Sequence, residues 1–347
     1  MAHGLASLIA CGTRLWLDSV DPDLVRANHA VGATGATSNP VIIADLIKTG
    51  RFDHWITDLV AAGHDDTTIA WMLTDELVGH AQSIFHDVWV SSQGNDGWVS
   101  FELDPLLEDP GNGLTDDERA EHYVELGRQW SANQSNRMIK VPATPSGIRA
   151  LESLTAAGVP LNVTLIFTLR QYEAARDAVW RGARQRSTLD SFKSVYSVFV
   201  SRIDVYTEKH VPQLSPAAQG MLAIVNAKRV WAANHAFWSA HPTPLAQEIV
   251  FASTGVKQEG VDPCRYVAAL AGADIQTNPP ATNKAADDPV RTFSRQVDVM
   301  PPAAVLTELD RTVDMQVMED RLMAEGIEKF VTPQQTLLSL IAARRAG

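Results

Sequence analysis

The chain has 347 residues, 45% hydrophobic and 20% charged, an ordinary globular composition long enough to bury a large core. Its 29 basic and 41 acidic side chains give a formal charge of −12, which repels phosphate backbones and argues against a nucleic-acid partner. No apolar run reaches about 18 residues, so no membrane partner is expected.

The first segment, Leu8-Ile9-Ala10-Cys11-Gly12, has the look of a lipoprotein cleavage box. It lacks a basic stretch before it and a long apolar core, so the expectation is a cytoplasmic protein. Strand-like segments then follow at Arg14–Asp18, Gly32–Thr37, Trp98–Leu103, Met138–Val141, Leu161–Phe167, Val195–Val200, Glu248–Ser253 and Ala273–Thr277. Helical patterns lie between most of them, among them Thr68–Val88, Asp116–Asn133, Pro145–Ala157, Leu169–Ala183, Pro216–His241 and Pro263–Ala271. Thr144-Pro145 and Asp262-Pro263 each offer an N-cap followed by proline in the first turn. Alternating strands and helices imply parallel pairing with right-handed crossovers. Eight units predict an α/β fold of the (β/α)8 TIM-barrel type, the alternative being an open doubly wound sheet. The expected organisation is one barrel domain over 1–347, with 283–347 a helical extension packed on it. That extension carries helical patterns at Pro301–Thr312, Asp314–Glu325 and Pro333–Ala346.

Strands covered by helices on one side and closed on the other should be almost wholly apolar. Here they are not, and period-two alternation says which side each polar residue takes. Leu15 and Leu17 share one face, Trp16 and Asp18 the other; Glu102 falls on the side of Ser100. Ile139 and Val141 meet the helices while Lys140 points inward; Asn162 and Thr164 point inward together, and Ser197 and Phe199 oppose two valines. Each polar residue sits near the carboxyl end of its strand, where barrel enzymes build active sites. Isolated buried charges cost several kcal/mol, so Lys140, Asp18 and Glu102 in one barrel mouth must pair or serve chemistry. Walls of Met138, Ile139 and Val141 would lower the Lys140 pKa and free its amine to attack a carbonyl, while Asp18 and Glu102 push the other way.

These segments resemble transaldolases, Schiff-base-forming barrel enzymes of the class I aldolase superfamily. The matching pieces are Leu15-Trp16-Leu17-Asp18, Ala36-Thr37-Ser38-Asn39-Pro40, Ser100-Phe101-Glu102-Leu103-Asp104-Pro105, Met138-Ile139-Lys140-Val141-Pro142-Ala143-Thr144, Asn162-Val163-Thr164-Leu165-Ile166-Phe167, Ser197-Val198-Phe199-Val200-Ser201-Arg202 and Ala252-Ser253-Thr254-Gly255-Val256-Lys257. They run in order between about residues 12 and 282 and touch seven of the eight proposed strands. The resemblance implies a cofactor-free transferase of the pentose phosphate pathway acting on phosphorylated sugars. It implies that Lys140 forms the imine and that Asp18 moves the C4 hydroxyl proton as the C3–C4 bond breaks. Glu102 and Thr164 correspond to the pair holding a catalytic water. Asn39, Asn162 and Ser197 correspond to groups that bind the dihydroxyacetone fragment, and Arg202, Ser253 and Lys257 to the phosphate grip. Phe199 stands where transferring members carry Phe and the related fructose-6-phosphate aldolases carry Tyr. Strand eight departs from the pattern, with Gln276-Thr277-Asn278 where close relatives are expected to carry Asn-Thr-Met.

Rival readings are a fructose-6-phosphate aldolase-like lyase and a non-catalytic sugar-phosphate-binding barrel. Arg202 has an alternative partner in Asp204, and Lys257 has one in solvent. Gly32 and Gly35 resemble a phosphate loop but lack the residues that complete one, and read as turn or packing glycines. The ten histidines avoid the strand ends and show no ligand spacing, so no metal is expected. Trp231 and Trp238 read as helix-packing residues, and Cys11 and Cys264, which fit no metal or redox spacing, as small buried fillers. The oligomeric state is left open, with a homodimer as the assembly to test.

Overall fold

The computed structural model describes residues 2–346. Its eight strands are β1 (Arg14–Leu17), β2 (Ala33–Thr37), β3 (Val99–Glu102), β4 (Arg137–Pro142), β5 (Leu161–Ile166), β6 (Ser194–Phe199), β7 (Glu248–Ala252) and β8 (Ile275–Asn278). Each pairs in parallel with its sequence neighbour, and β8 pairs with β1, so the sheet closes into a (β/α)8 barrel. Closure excludes the open-sheet alternative.

Alternation divides the strand residues as their spacing predicts. Leu15, Leu17, Ile139 and Val141 join the large core between sheet and helices, whereas Trp16, Trp98, Met138, Val195, Val250 and Ile275 form a separate core inside the barrel. Gly35 is what admits the Trp16 indole. A Cβ there would fall 2.5 Å from the Trp98 carbonyl oxygen and 2.7 Å from Trp16 Nε1. Gly32 has φ +99°, a turn conformation that side chains rarely adopt.

Beneath this apolar layer lies a buried ion cluster. Lys193 Nζ donates to Glu248 Oε2 and to the Ala246 carbonyl, both at 2.6 Å, and Arg14 pairs with the same carboxylate. Burial and the Arg14 charge pull the Lys193 ammonium below the usual lysine range.

Helix boundaries mostly follow local chemistry. Thr144 Oγ1 accepts from Gly147 N, capping Pro145–Ala156. Asp21 and Asn39 cap Pro22–Ala30 and Pro40–Lys48 with the same cap-proline device. Several expected starts move, those at Thr68 and Pro301 to Asp66 and Ala303. Asp262 does accept from Cys264 N, but the helix begins only at Arg265. The helix expected from Pro216 begins at Leu222, after Gly220 turns the chain with φ +74°. Cys11 and Cys264 are free thiols, Cys264 fully buried and Cys11 partly so, and Trp231 and Trp238 are buried.

The largest correction concerns the C-terminus. After Ala303–Thr312 comes one 32-residue helix, Met315–Ala346, where two were expected. Pro333 lies inside it and leaves the Lys329 carbonyl without its usual donor four residues on. Burial of Phe330, Val331, Leu337 and Ile341 on either side outweighs that loss. Near its start, Glu319 accepts from Thr168 Oγ1 and pairs with Arg170, just beyond β5. Further along, Gln335 donates to Asp109 Oδ2 (3.1 Å) beyond β3, and Arg344 pairs with Asp53 and donates to the Ile47 carbonyl beyond β2. The helix therefore crosses the carboxyl-end mouth from the β5 side to the β2 side. Among the described residues, no helix is long and apolar enough to cross a membrane.

Candidate active site

A cavity of about 940 Å³ opens at the carboxyl ends of the strands, beneath the C-terminal helix. Asp18, Asn39, Lys140, Asn162, Thr164, Ser197, Phe199, Arg202, Ser253 and Lys257 all line it, so ten of the eleven proposed site residues meet there. The eleventh, Glu102, is 7% exposed and reaches the site through Lys140.

Lys140 lies inside the barrel with 5% of its surface exposed. Its Nζ donates to Glu102 Oε2 and to the Ser38 carbonyl, each at 3.2 Å. The expectation that Ile139 and Val141 would wall the amine is overturned. Both face the helices, because alternation turns every second side chain outward. The amine instead faces a carboxylate, a carbonyl and, at 5.6 Å from its centroid, the ring of Phe330. Register explains the Glu102 contact, since Glu102 and Lys140 are directly paired between β3 and β4.

The two carboxylates share one electrostatic environment. Burial pushes the Glu102 carboxyl above the usual range, opposed by Lys140 and reinforced by the negative charge of Asp18. Burial pushes Asp18 up as well, opposed by Lys140, Lys257 and Arg202. Groups so displaced, in a cavity, are suited to carrying protons.

Asn162 ties two strands together. Its Nδ2 donates to Ser100 Oγ (2.8 Å), and its Oδ1 accepts from Ser197 Oγ (2.7 Å). Asn39 spends Oδ1 on the Ile42 amide (3.0 Å) as a helix cap, leaving its amide nitrogen for a ligand. Thr164 is fully buried, yet its Oγ1 has no hydrogen-bond partner among the described residues. The next residue, Leu165, has φ +57°, where the pairing of β5 with β6 shifts register. Such strain at a strand end is a device for aiming a side chain.

Ser253 likewise has φ +55° and lies 3.0 Å from Ser201 through their hydroxyls. Arg202 stacks over Phe199, 5.0 Å from guanidinium carbon to ring centroid, and its buried Nη1 has no partner among the described residues. Burial pulls its pKa down, opposed by Glu325, Glu102 and Asp18. The alternative pairing with Asp204 is not made. That carboxylate accepts from Tyr266 OH (2.8 Å) and Ala223 N (3.2 Å). Lys257 is exposed at the rim. Two cations and a hydroxyl line this part of the cavity, a combination whose chemistry suits an anion.

Several lining residues escaped sequence reasoning. Glu325, Lys329, Phe330 and Pro333 come from the C-terminal helix, and His210 from the helix after β6. His210 reaches the cavity from the end of its helix and not from a strand end. A Gly-Ile-Glu-Lys-Phe stretch carries no spacing that announces a lid, whereas its buried Phe beside charged residues is a signal in retrospect.

Fold and site together define a closed parallel barrel whose interior amine, carboxylates and nearby cations suit carbonyl chemistry on a charged substrate. The sequence model described as transaldolase/fructose-6-phosphate aldolase matches residues 15–341. A protein named transaldolase from Thermobifida fusca is 31% identical, with all of both chains covered. One of the same name from Thiobacillus denitrificans is 32% identical over 95% of this chain and 97% of its own. Another, from Mycolicibacterium paratuberculosis, is 33% identical over 94% and 93%. The chain belongs to the transaldolase/fructose-6-phosphate aldolase family.

Proposed function

We propose that the protein is a transaldolase: a transferase that moves a dihydroxyacetone unit from a ketose phosphate, such as sedoheptulose 7-phosphate or fructose 6-phosphate, to an aldose phosphate, such as glyceraldehyde 3-phosphate or erythrose 4-phosphate. It acts in the pentose phosphate pathway, in the cytoplasm and without a cofactor. The observation that carries this reading is the buried Lys140 amine, 3.2 Å from Glu102, in the cavity that Asp18 also lines.

Glu102 takes a proton from Lys140, and the free amine adds to the C2 ketone to give a carbinolamine. Loss of water, handled by Glu102 and Thr164, gives the iminium. Asp18 removes the C4 hydroxyl proton, the C3–C4 bond breaks, and its electron pair passes into the enamine as the aldose leaves. The enamine carbon then attacks the acceptor aldehyde, Asp18 returns its proton to the new hydroxyl, and water releases the product from Lys140. Asn39, Asn162 and Ser197 hold the three-carbon fragment, while Arg202, Ser253 and Lys257 hold the phosphate.

Borohydride reduction in the presence of fructose 6-phosphate, followed by peptide mapping, tests this directly. The label is expected on Lys140; a label elsewhere, or none, overturns the mechanism. The family description also covers a lyase that releases free dihydroxyacetone. Phe199 favours transfer, and release without erythrose 4-phosphate at a rate matching transfer would favour the lyase.

A further inference from the structure

The covalent intermediate faces a choice that strand residues alone do not decide. Once the aldose has left, the enamine can attack a new aldehyde. Alternatively, C3 takes a proton, water adds to C2 of the resulting iminium, and the C–N bond breaks, freeing dihydroxyacetone and Lys140. A transferase must slow the second route. Keeping water, as the proton source, from C3 is one way to do so, because water must still reach C2 to release either product.

Phe330 is placed to supply that exclusion. It is 6% exposed, and its ring centroid lies 5.6 Å from Lys140 Nζ. It comes from no barrel strand but from the helix that crosses the mouth, so the ring lies on the solvent side of the amine. The helix is fixed at both sides of the opening, by Glu319 to Thr168 and Arg170, and by Arg344 to Asp53. Between these anchors, Gly326 packs against Leu165, where an added Cβ would come within 3.2 Å of the side chain. Close helix approach at Gly326 keeps the following turn, with Phe330, down in the cavity. An aromatic face also stabilises a nearby cation, which the ammonium and the iminium both are.

We infer that Phe330 is a specificity-determining residue. Its ring caps the Lys140 adduct, keeps water, as the proton source, from the enamine carbon C3 and so sets how much of the intermediate is transferred and how much is hydrolysed. This rests on the transaldolase reading above and adds to it a residue from outside the strands.

The test measures dihydroxyacetone release from fructose 6-phosphate without acceptor, and transfer to erythrose 4-phosphate, in wild type, Phe330→Ala and Phe330→Leu. Borohydride trapping and thermal melting accompany each variant. In Phe330→Ala the ratio of release to transfer is expected to rise about tenfold while Lys140 remains trappable. Phe330→Leu keeps an apolar cover without the ring and should fall between; if the alanine variant does not fold, a rise in the leucine variant carries the test. A ratio within about twofold of wild type in every folded variant overturns the proposal. Absence of trapped lysine in wild type would instead remove the covalent reading, and this inference with it.

Discussion

Replacing Arg202 by methionine separates recognition of the phosphate from the chemistry. Methionine keeps much of the apolar stem that stacks on Phe199 but removes the guanidinium, whose Nη1 is buried and unpaired among the described residues. No internal hydrogen bond through that nitrogen is therefore lost, and relief of a desolvated charge offsets the loss of about 0.5–1 kcal/mol of ring stacking. Stability should stay within about 1 kcal/mol of wild type in urea titration. Binding of a dianionic phosphate loses a charge-assisted hydrogen bond, about 1.5–3 kcal/mol. That corresponds to a fall of about 10- to 150-fold in kcat/KM for fructose 6-phosphate. Unphosphorylated fructose, assayed with the same acceptor, lacks that contact and should lose less than about threefold. Equal losses for both sugars would refute the assignment of Arg202 to the phosphate and place its effect on the folding of the site.

Asp18→Ala should still form the trapped imine while turnover falls about 10²–10⁴-fold, and the acid limb of wild-type kcat/KM should lie above the ordinary aspartate range because burial raises that carboxyl; unchanged turnover would remove its role. Buried Asp204 has its pKa raised to about 6, so its contribution to stability is full below the unfolded value near 3.8 and is lost as pH rises through 6. Asp204→Asn should accordingly be more stable than wild type at pH 8 by at most about 3 kcal/mol, with the gain vanishing near pH 4; urea titrations at both pH values check the sign. Glu248→Gln strips the paired carboxylate from buried Lys193 and leaves Arg14 only Asp96, 4.0 Å away, and should cost about 3–5 kcal/mol in the same assay. Lys193→Met should cost less, since Arg14 still neutralises Glu248; the reverse order would refute this account of the cluster.

The barrel was legible because its signal is local. Each strand is a short run of alternating or continuous apolar residues, and each inward polar residue violates that pattern at its carboxyl end. Lys140 between Ile139 and Val141 shows this: two outward aliphatics fix the lysine inward before any neighbour is known. Which groups meet that lysine was less accessible. The Glu102 contact depends on the β3–β4 register, and the Ser38 carbonyl on where the backbone leaves β2. Asn39 had a single expected role and takes part in a second, as a helix cap. Capping is a local property, and because it occupies the side-chain oxygen it leaves only the amide nitrogen for a ligand.

The C-terminal helix is not legible in the sequence for a different reason. Its proline at 333 is a local instruction to stop, and only contacts with distant segments override it. Those contacts are also what bring Phe330 to Lys140. The division is physically sensible. Groups that make and break covalent bonds need fixed geometry, which parallel strands with paired backbones provide. A cover that must admit and release sugars cannot be part of a closed sheet, so it comes from a helix held by side-chain anchors at its two sides. On this view, strand residues decide which bonds can form at the lysine, and the helix decides how long water is kept from them.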